Sequence, residues 1–393
     1  MWRQLPIFTF AALTVLLFFQ VPTKAQDHAS STISWDRPSL RLIAPGGDYP
    51  RMVRMIDGTI VCGYDRDQKM WARISHDDTK TWSDPILVAT GDDSWLTNAS
   101  LLPLKYGRLF YFWNDRPMET VRYGRTIAPP GKLTRPIRIL FAISSDEGRT
   151  WSSPRVLYSA GPSFLDGCWE PAGLQLPSGE IQVYFSNEKP FETTDEQEIA
   201  ILRSRDGGKN WAPAQRISLR KDHRDGMPAP ILLATGKGIA VAIEDNGLSG
   251  DTFKPSILFT SLADNWTSGV INGQSSQRWG ALETPLNPHW YAGAPFLART
   301  DSGLVLLSFQ QSTDGSMDHS RMVVCIGDPT ARHFAHPTYP FPSGPSANLW
   351  NSLFAKDNHS VIALTSTKIA GQFGIWAING RIETTQTDLP ITH

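Results

Sequence analysis

Cysteine is scarce in this chain, with three residues in 393, Cys62, Cys168 and Cys325. So few, and an odd number, cannot form a fully paired framework, which excludes a disulfide-built scaffold and leaves the fold to a packed core. The three thiols read as buried packing residues. Charge of one sign is lacking as well. Lysine and arginine number 37 against 38 aspartates and glutamates, for a net charge of −1. Such a balance gives no field to draw nucleic acid or another polyanion, and it fits a neutral partner. Past the N-terminus no apolar run approaches the roughly 20 residues that a membrane span needs. No zinc-ligand spacing, phosphate loop, dinucleotide fingerprint or G-x-S-x-G elbow occurs, so neither a metal nor an organic cofactor is expected.

What is present begins with a leader. Arg3, an apolar run from Leu5 to Phe19 and the small-residue site Thr23-Lys24-Ala25 have the pattern of a secretory signal over residues 1–25. The mature chain, residues 26–393, is expected to be one exported, monomeric, all-β domain, since radially repeated β folds reach this size as single domains. Sequons at Asn98, Asn265 and Asn358 are compatible with export. Asn98, however, opens a candidate inner strand, where a glycan would not fit.

The strongest signal is repetition. From Cys168 the chain reads C-W-E-P-A-G-L-Q-L-P-S-G-E-I-Q-V-Y-F-S-N-E, two alternating strands joined by a Pro-Ser-Gly turn, which is a tight hairpin. The same hairpin recurs from Pro50, Asn98, Ala229, Ala294 and Asn348. These starts lie roughly 50 to 70 residues apart, the span of one propeller blade with generous loops. Six units predict a six-bladed β-propeller with four-stranded blades. A strand at Ser39–Ala44 has no blade of its own, while the last blade lacks an outer strand. Pairing the two would close the ring with few exposed edges.

A second repeat lies inside the first. Ser144–Trp151 and Ser204–Trp211 share S-x-D-x-G-x-x-W, Ser75–Trp82 departs only at Thr79, and Ser261–Trp266 is a shortened form. The aspartate can accept amide bonds across the turn, the glycine permits positive φ, and the tryptophan can plug the gap between neighbouring sheets. A single carboxylate per turn is poor cation ligation, so these are read as folding devices.

These turns resemble the Asp boxes of sialidase-like propellers. The resemblance implies that each box closes the turn between the third and outermost strands, on the rim opposite the active site. Residues before the inner strand and after the second strand then share the active rim. That rim gathers Asp48, Arg51, Asp65, Trp113, Asn114, Asp115, Trp169, Glu170, Asn187, Glu188, Glu244, Asp245, Gln310 and Trp350. Carboxylates, amides and indoles around a closed channel describe a sugar pocket, with rings for stacking and polar groups for hydroxyls. Each of them taken singly also fits a structural role. The loop Asp115–Arg135, with Arg116, Arg122, Arg125, Lys132 and Arg135, reads either as a cleft wall or as a solvated insertion.

Over nearly the whole mature length the chain resembles the fungal exo-1,5-α-L-arabinanases of glycoside hydrolase family 93. The matching motifs are Y-P-R-M-V-R at Tyr49, W-E-P-A-G-L-Q at Trp169 and A-I-E-D-N-G at Ala242. The resemblance implies retaining release of arabinobiose from the non-reducing end of linear arabinan or arabino-oligosaccharides, with Glu170 and Glu244 as the catalytic pair. It also implies a tyrosine near the nucleophile, for which Tyr339 is the candidate; from the rim, Arg51, Asp65, Trp113, Asn114, Trp169, Asn187 and Trp350 are the expected substrate contacts. The apolar neighbours of Glu170 suit it to acid/base work, and the polar E-D-N run suits Glu244 to nucleophilic attack. Retention needs the two carboxyls roughly 5 to 5.5 Å apart. An exo-sialidase is the rival enzyme. Against it, the fifth repeat opens Y-A-G-A-P-F without an arginine, and Trp350 stands where sialidases carry their tyrosine. A non-catalytic glycan-binding propeller is the rival outside enzymes.

Overall fold

A computed structural model describes residues 30–385, except 121–132, 164, 235 and 237. The leader, and with it Arg122, Arg125 and Lys132, lies outside the described residues. Ser31–Thr384 form one compact unit, and among the described residues no helix is long and apolar enough to cross a membrane.

The unit is built from six four-stranded antiparallel sheets. Blade one is β2 (Asp48–Arg54), β3 (Ile60–Arg66), β4 (Lys69–Ser75) and β5 (Ile86–Thr90). Blade two is β6 (Ser94–Pro103), β7 (Leu109–Pro117), β8 (Arg138–Ser144) and β9 (Arg155–Ser159). Blade three is β10 (Cys168–Gln175), β11 (Ile181–Asn187), β12 (Glu198–Ser204) and β13 (Gln215–Ser218). Blade four is β14 (Asp225–Leu232), β15 (Gly238–Asp245), β16 (Lys254–Ser261) and β17 (Arg278–Gly280). Blade five is β18 (Tyr291–Arg299), β19 (Val305–Ser312), β20 (Arg321–Gly327) and β21 (Ala335–Thr338). Blade six takes β22 (Leu349–Ala355), β23 (Ser360–Ile369) and β24 (Gln372–Thr385) from the C-terminal part and its outer strand, β1 (Ser30–Pro45), from the N-terminal part. The ring is thus closed by an N-terminal strand, and that strand is much longer than the Ser39–Ala44 read from the sequence.

The boxes do the folding work their residues imply. In blade two, Ser144 Oγ donates to Asp146 at 2.7 Å, Gly148 N–H donates to Ser144 Oγ at 2.8 Å, and Thr150 N–H donates to Asp146 at 2.9 Å. Thr79 takes the glycine place in blade one with φ of 73°, and its Oγ1 accepts from Arg41 at 2.9 Å, a bond that glycine could not make. All these turns join a third strand to an outer one. Their tryptophans reach across the seams, Trp211 edge-on to Phe141 of blade two at 6.2 Å and Trp266 to Tyr184 of blade three at 6.1 Å. The three cysteines are buried and unpaired.

Candidate active site

Every inner strand breaks its ladder at the same place, between Asp48 and Arg51, Thr97 and Ser100, Trp169 and Ala172, Gly226 and Ala229, Gly293 and Phe296, and Leu349 and Ser352. Inside each break stands a residue with φ between 47° and 60°: Tyr49, Asn98, Glu170, Met227, Ala294 and Trp350. Such a φ is unfavourable for a side-chain-bearing residue and persists only where surrounding structure enforces it. The enforcing contact comes from the preceding blade. A side chain at the end of its second strand accepts the bulge N–H, as Asn114 Oδ1 does for Glu170 (2.9 Å), Ser186 Oγ for Met227 (3.0 Å), Glu244 Oε2 for Ala294 (2.9 Å) and Ser366 Oγ for Tyr49 (3.1 Å). Gln310 Oε1 does the same for Trp350, and Asp65, facing Asp48 across the ladder, stands at the equivalent position of blade one. Two concentric rings of side chains therefore crown the channel, and bulges of this kind re-aim side chains.

Glu170 belongs to the inner ring, at the head of a cavity of about 200 Å³ between the inner strands. Burial, and then the charge of Glu244, push its carboxyl up to about 8 against the opposing hydrogen bond from Ser186. Ser186 Oγ donates to Glu170 Oε2 at 3.0 Å. Met227 N–H donates to the same hydroxyl at 3.0 Å, so Ser186 links the Glu170 carboxyl to the bulge of the next blade.

Glu244 belongs to the outer ring of the next blade. Two glycines make its slot. A β-carbon on Gly226 would stand 2.8 Å from Glu244 Oε1, and one on Gly293 would stand 2.7 Å from Oε2. Next to it in sequence, Asp245 turns the other way into a buried network, held by Arg220 at 3.0 and 2.9 Å and by Arg278 at 3.1 Å. Arg278 also grips Asp225, which pairs with Asp245 across the ladder, at 2.8 and 2.5 Å. The backbone under Glu244 is therefore rigid.

Other expected site residues divide. Arg51 lines the cavity, sandwiched between the Tyr49 and Phe296 rings at 4.3 and 5.0 Å, and its Nη1 donates to the carbonyls of Pro50 (2.7 Å) and Trp350 (3.1 Å). Trp350 stacks on Tyr49 with ring centroids 5.5 Å apart. Asp65 is buried, and burial together with Asp48 pushes its carboxyl well above the usual range. Asn114 reaches the site as the support of Glu170, its amide donating to the Cys168 carbonyl at 2.8 Å. Trp169 is half-buried, its indole N–H donating to Glu188 at 2.8 Å, with the Arg116 guanidinium 5.1 Å above the ring.

Three expectations are corrected. Trp113 is fully buried against Tyr111 in the core between blades one and two, because alternation along β7 turns it away from the channel. Asn187 is spent on Glu198 of its own blade (2.8 Å) and on the Tyr158 hydroxyl of blade two (3.1 Å). Tyr339 follows the outermost strand of blade five, exposed, with Arg321 4.5 Å over its ring. Among the described residues the tyrosines that reach the site are Tyr49 and Tyr291. Tyr49 is raised above its ordinary value chiefly by burial, against the pull of Arg51, with Glu170 and Glu244 adding to the rise. Tyr291 is buried with its hydroxyl crowding Gly293 beside Glu244. Asp115 is closed off by Arg135 and Arg138. Sequence reading had also passed over Ser186, Gly226 and Gly293. The recurring dipeptides Tyr49-Pro50, Glu170-Pro171, Met227-Pro228 and Ala294-Pro295 are the signal that aligns them.

Fold and site together define a class, the six-bladed propellers of four-stranded blades with S-x-D-x-G-x-x-W turns. Within it the chain is structurally similar to the GH93 α-L-arabinofuranosidase of Fusarium graminearum solved with arabinobiose, at 17% identity and TM-score 0.63 over 90% of this chain and 97% of that one. It is also similar to an α-L-arabinanase of Penicillium chrysogenum with arabinobiose, at 15% identity and TM-score 0.57 over 87% and 94%. The NanB sialidase of Streptococcus pneumoniae gives 11% identity and TM-score 0.59 over 88% and 70%. At these identities the likeness is one of fold. No protein-family model matches the sequence, and no curated protein does.

Proposed function

We propose that the protein is a secreted, retaining exo-glycosidase that hydrolyses linear α-1,5-L-arabinan from the non-reducing end and releases arabinobiose. The observation that carries this reading is the asymmetric carboxyl pair, a Glu170 that stays protonated at neutral pH and, from the adjacent blade, a Glu244 whose charge helps to keep it so. Glu244 attacks the anomeric carbon while the Glu170 proton passes to the departing glycosidic oxygen. The resulting ester to Glu244 is then cleaved by water, whose proton returns to Glu170. Among the described residues Arg51 is the single arginine of the cavity wall, and its faces and its Nη1 are committed to protein groups, which favours a neutral sugar over a carboxylated one. The Tyr49 phenol, raised by burial, stays protonated and does not suit a tyrosine-nucleophile mechanism. The two neighbours solved with arabinobiose support the substrate class. Secretion rests on the leader residues.

Product analysis on linear α-1,5-arabinan tests the reading. Arabinobiose alone is expected. A ladder of oligomers would refute the exo mode, release of free sialic acid from a sialoside would establish the rival enzyme, and tight binding without turnover would leave a lectin-like propeller. The roles of the pair follow from azide trapping with an activated glycoside. Glu170→Ala is expected to give the retained α-azide and Glu244→Ala the inverted β-azide, and an exchange of outcomes would exchange the roles.

A further inference from the structure

Glu188 and Arg224 lie just outside the reacting pair, and the mechanism above does not use them. Glu188 is buried, and four donors fill its carboxylate: Gly167 N–H at 3.1 Å and the Trp169 indole at 2.8 Å on Oε2, the Gln197 amide at 3.1 Å and the Arg224 guanidinium on Oε1. The first two donors lie three residues and one residue before Glu170. Arg224 is tied in turn to the other strand. Its N–H donates to Asn246 Oδ1 at 2.7 Å, two residues past Glu244, and its guanidinium is fixed from outside by Asp195 at 2.6 Å. Gly226, two residues further along the chain, is the glycine against which Glu244 Oε1 lies. A fully satisfied buried ion pair holds its geometry, and losing either member leaves the other charge uncompensated.

We propose that the Glu188–Arg224 ion pair is a positioning device for the reacting carboxyls, joining the strand of Glu170 to that of Glu244 and setting a negative charge beside the first and a positive charge beside the second. This rests on the glycosidase reading. Of the two members, Glu188 acts more strongly on Glu170, raising it, while Arg224 opposes; Arg224 in turn feels Glu244. The other titratable groups facing Glu170 are Glu244 of blade four, Tyr49 and Arg51 of blade one, and Cys168 two residues before it. Of these, Glu244 also feels Arg224 and Cys168 also feels Glu188, so the carbon-13 titration follows Glu170 itself.

The test uses the opposite signs of the two charges. In Glu188→Gln the basic limb of kcat/KM is expected to fall by roughly one pH unit, and in Arg224→Met to rise by a similar amount, with the double variant returning toward the parent. A merely structural role would shift both single variants alike or leave the limb in place, and either result overturns the proposal. Arg224→Lys, which keeps the charge, is expected to keep the limb while lowering kcat. Carbon-13 titration of the Glu170 carboxyl in the same folded variants reads the same shifts without turnover. Opposite shifts in a protein inactive on every glycoside would therefore uphold the device and refute the enzyme. Parallel shifts in an active one would do the reverse.

Discussion

Replacing Glu170 by glutamine is expected to abolish turnover and yet to stabilise the protein, increasingly so as pH rises. In the fold the carboxyl titrates at about 8 against an ordinary value of 4.5. Below the lower value it is protonated whether the chain is folded or not, and it contributes no difference. Between the two values the unfolded chain loses the proton that the folded one keeps, so stability declines with rising pH and levels off once the folded group also ionises. For a sealed carboxyl the loss would reach about 5 kcal/mol. Glu170 opens onto the channel and keeps some contact with water, so about 3 kcal/mol is the working figure. Glutamine has no charge to desolvate, and its amide oxygen can accept the same Ser186 hydroxyl. Thermal melts of parent and variant should therefore coincide near pH 4.5 and separate to about 4 °C by pH 9 in favour of the variant. The buried Asp48 and Asp65 titrate in both proteins and cancel in the difference. A gap independent of pH, or one of opposite sign, would show that Glu170 is ionised in the folded state and would remove it as the general acid.

Ser186→Ala withdraws the hydroxyl that opposes the rise of Glu170 and should move the basic limb of kcat/KM up by roughly half a pH unit; a downward shift would mean that the hydroxyl stabilises the protonated form. Arg278→Met leaves Asp225 without its principal counter-charge in the core and should lower stability by about 3 to 5 kcal/mol in a urea titration. A loss below about 1 kcal/mol would show that the two aspartates are compensated some other way. Trp211→Ala empties the seam against Phe141 and should cost about 3 to 5 kcal/mol while leaving activity per folded molecule nearly unchanged. A stable but inactive Trp211 variant would place the box turns on the active rim.

Local chemistry made the architecture legible in the sequence. The hairpin turns, the S-x-D-x-G-x-x-W boxes and the even spacing of the repeats each specify a piece of one blade through short-range hydrogen bonds and alternating burial, and six copies leave little choice of fold. The place of Glu170 on one rim was legible too, from its position at the head of the Cys168–Glu188 hairpin, and the structure aligns it with Tyr49, Asn98, Met227, Ala294 and Trp350 of the other blades. What the sequence left open was decided between blades. Whether a polar residue on the rim faces the channel depends on the pleat of its strand and on a bulge that turns one residue to positive φ, and neither is fixed by the residue itself. Alternation sent Trp113 into the core and Asn187 to Glu198, although both stand in the same stretch of sequence as residues that line the site. Tyr49 entered the site because Ser366 of the last blade, 317 positions away, holds its bulge, while Tyr339 lies on an outer edge that no bulge redirects. The shift of Glu170 likewise needs Glu244 from the next blade and the enclosure of the ring. Desolvation and charge proximity act through space, and only the closed propeller brings those groups together.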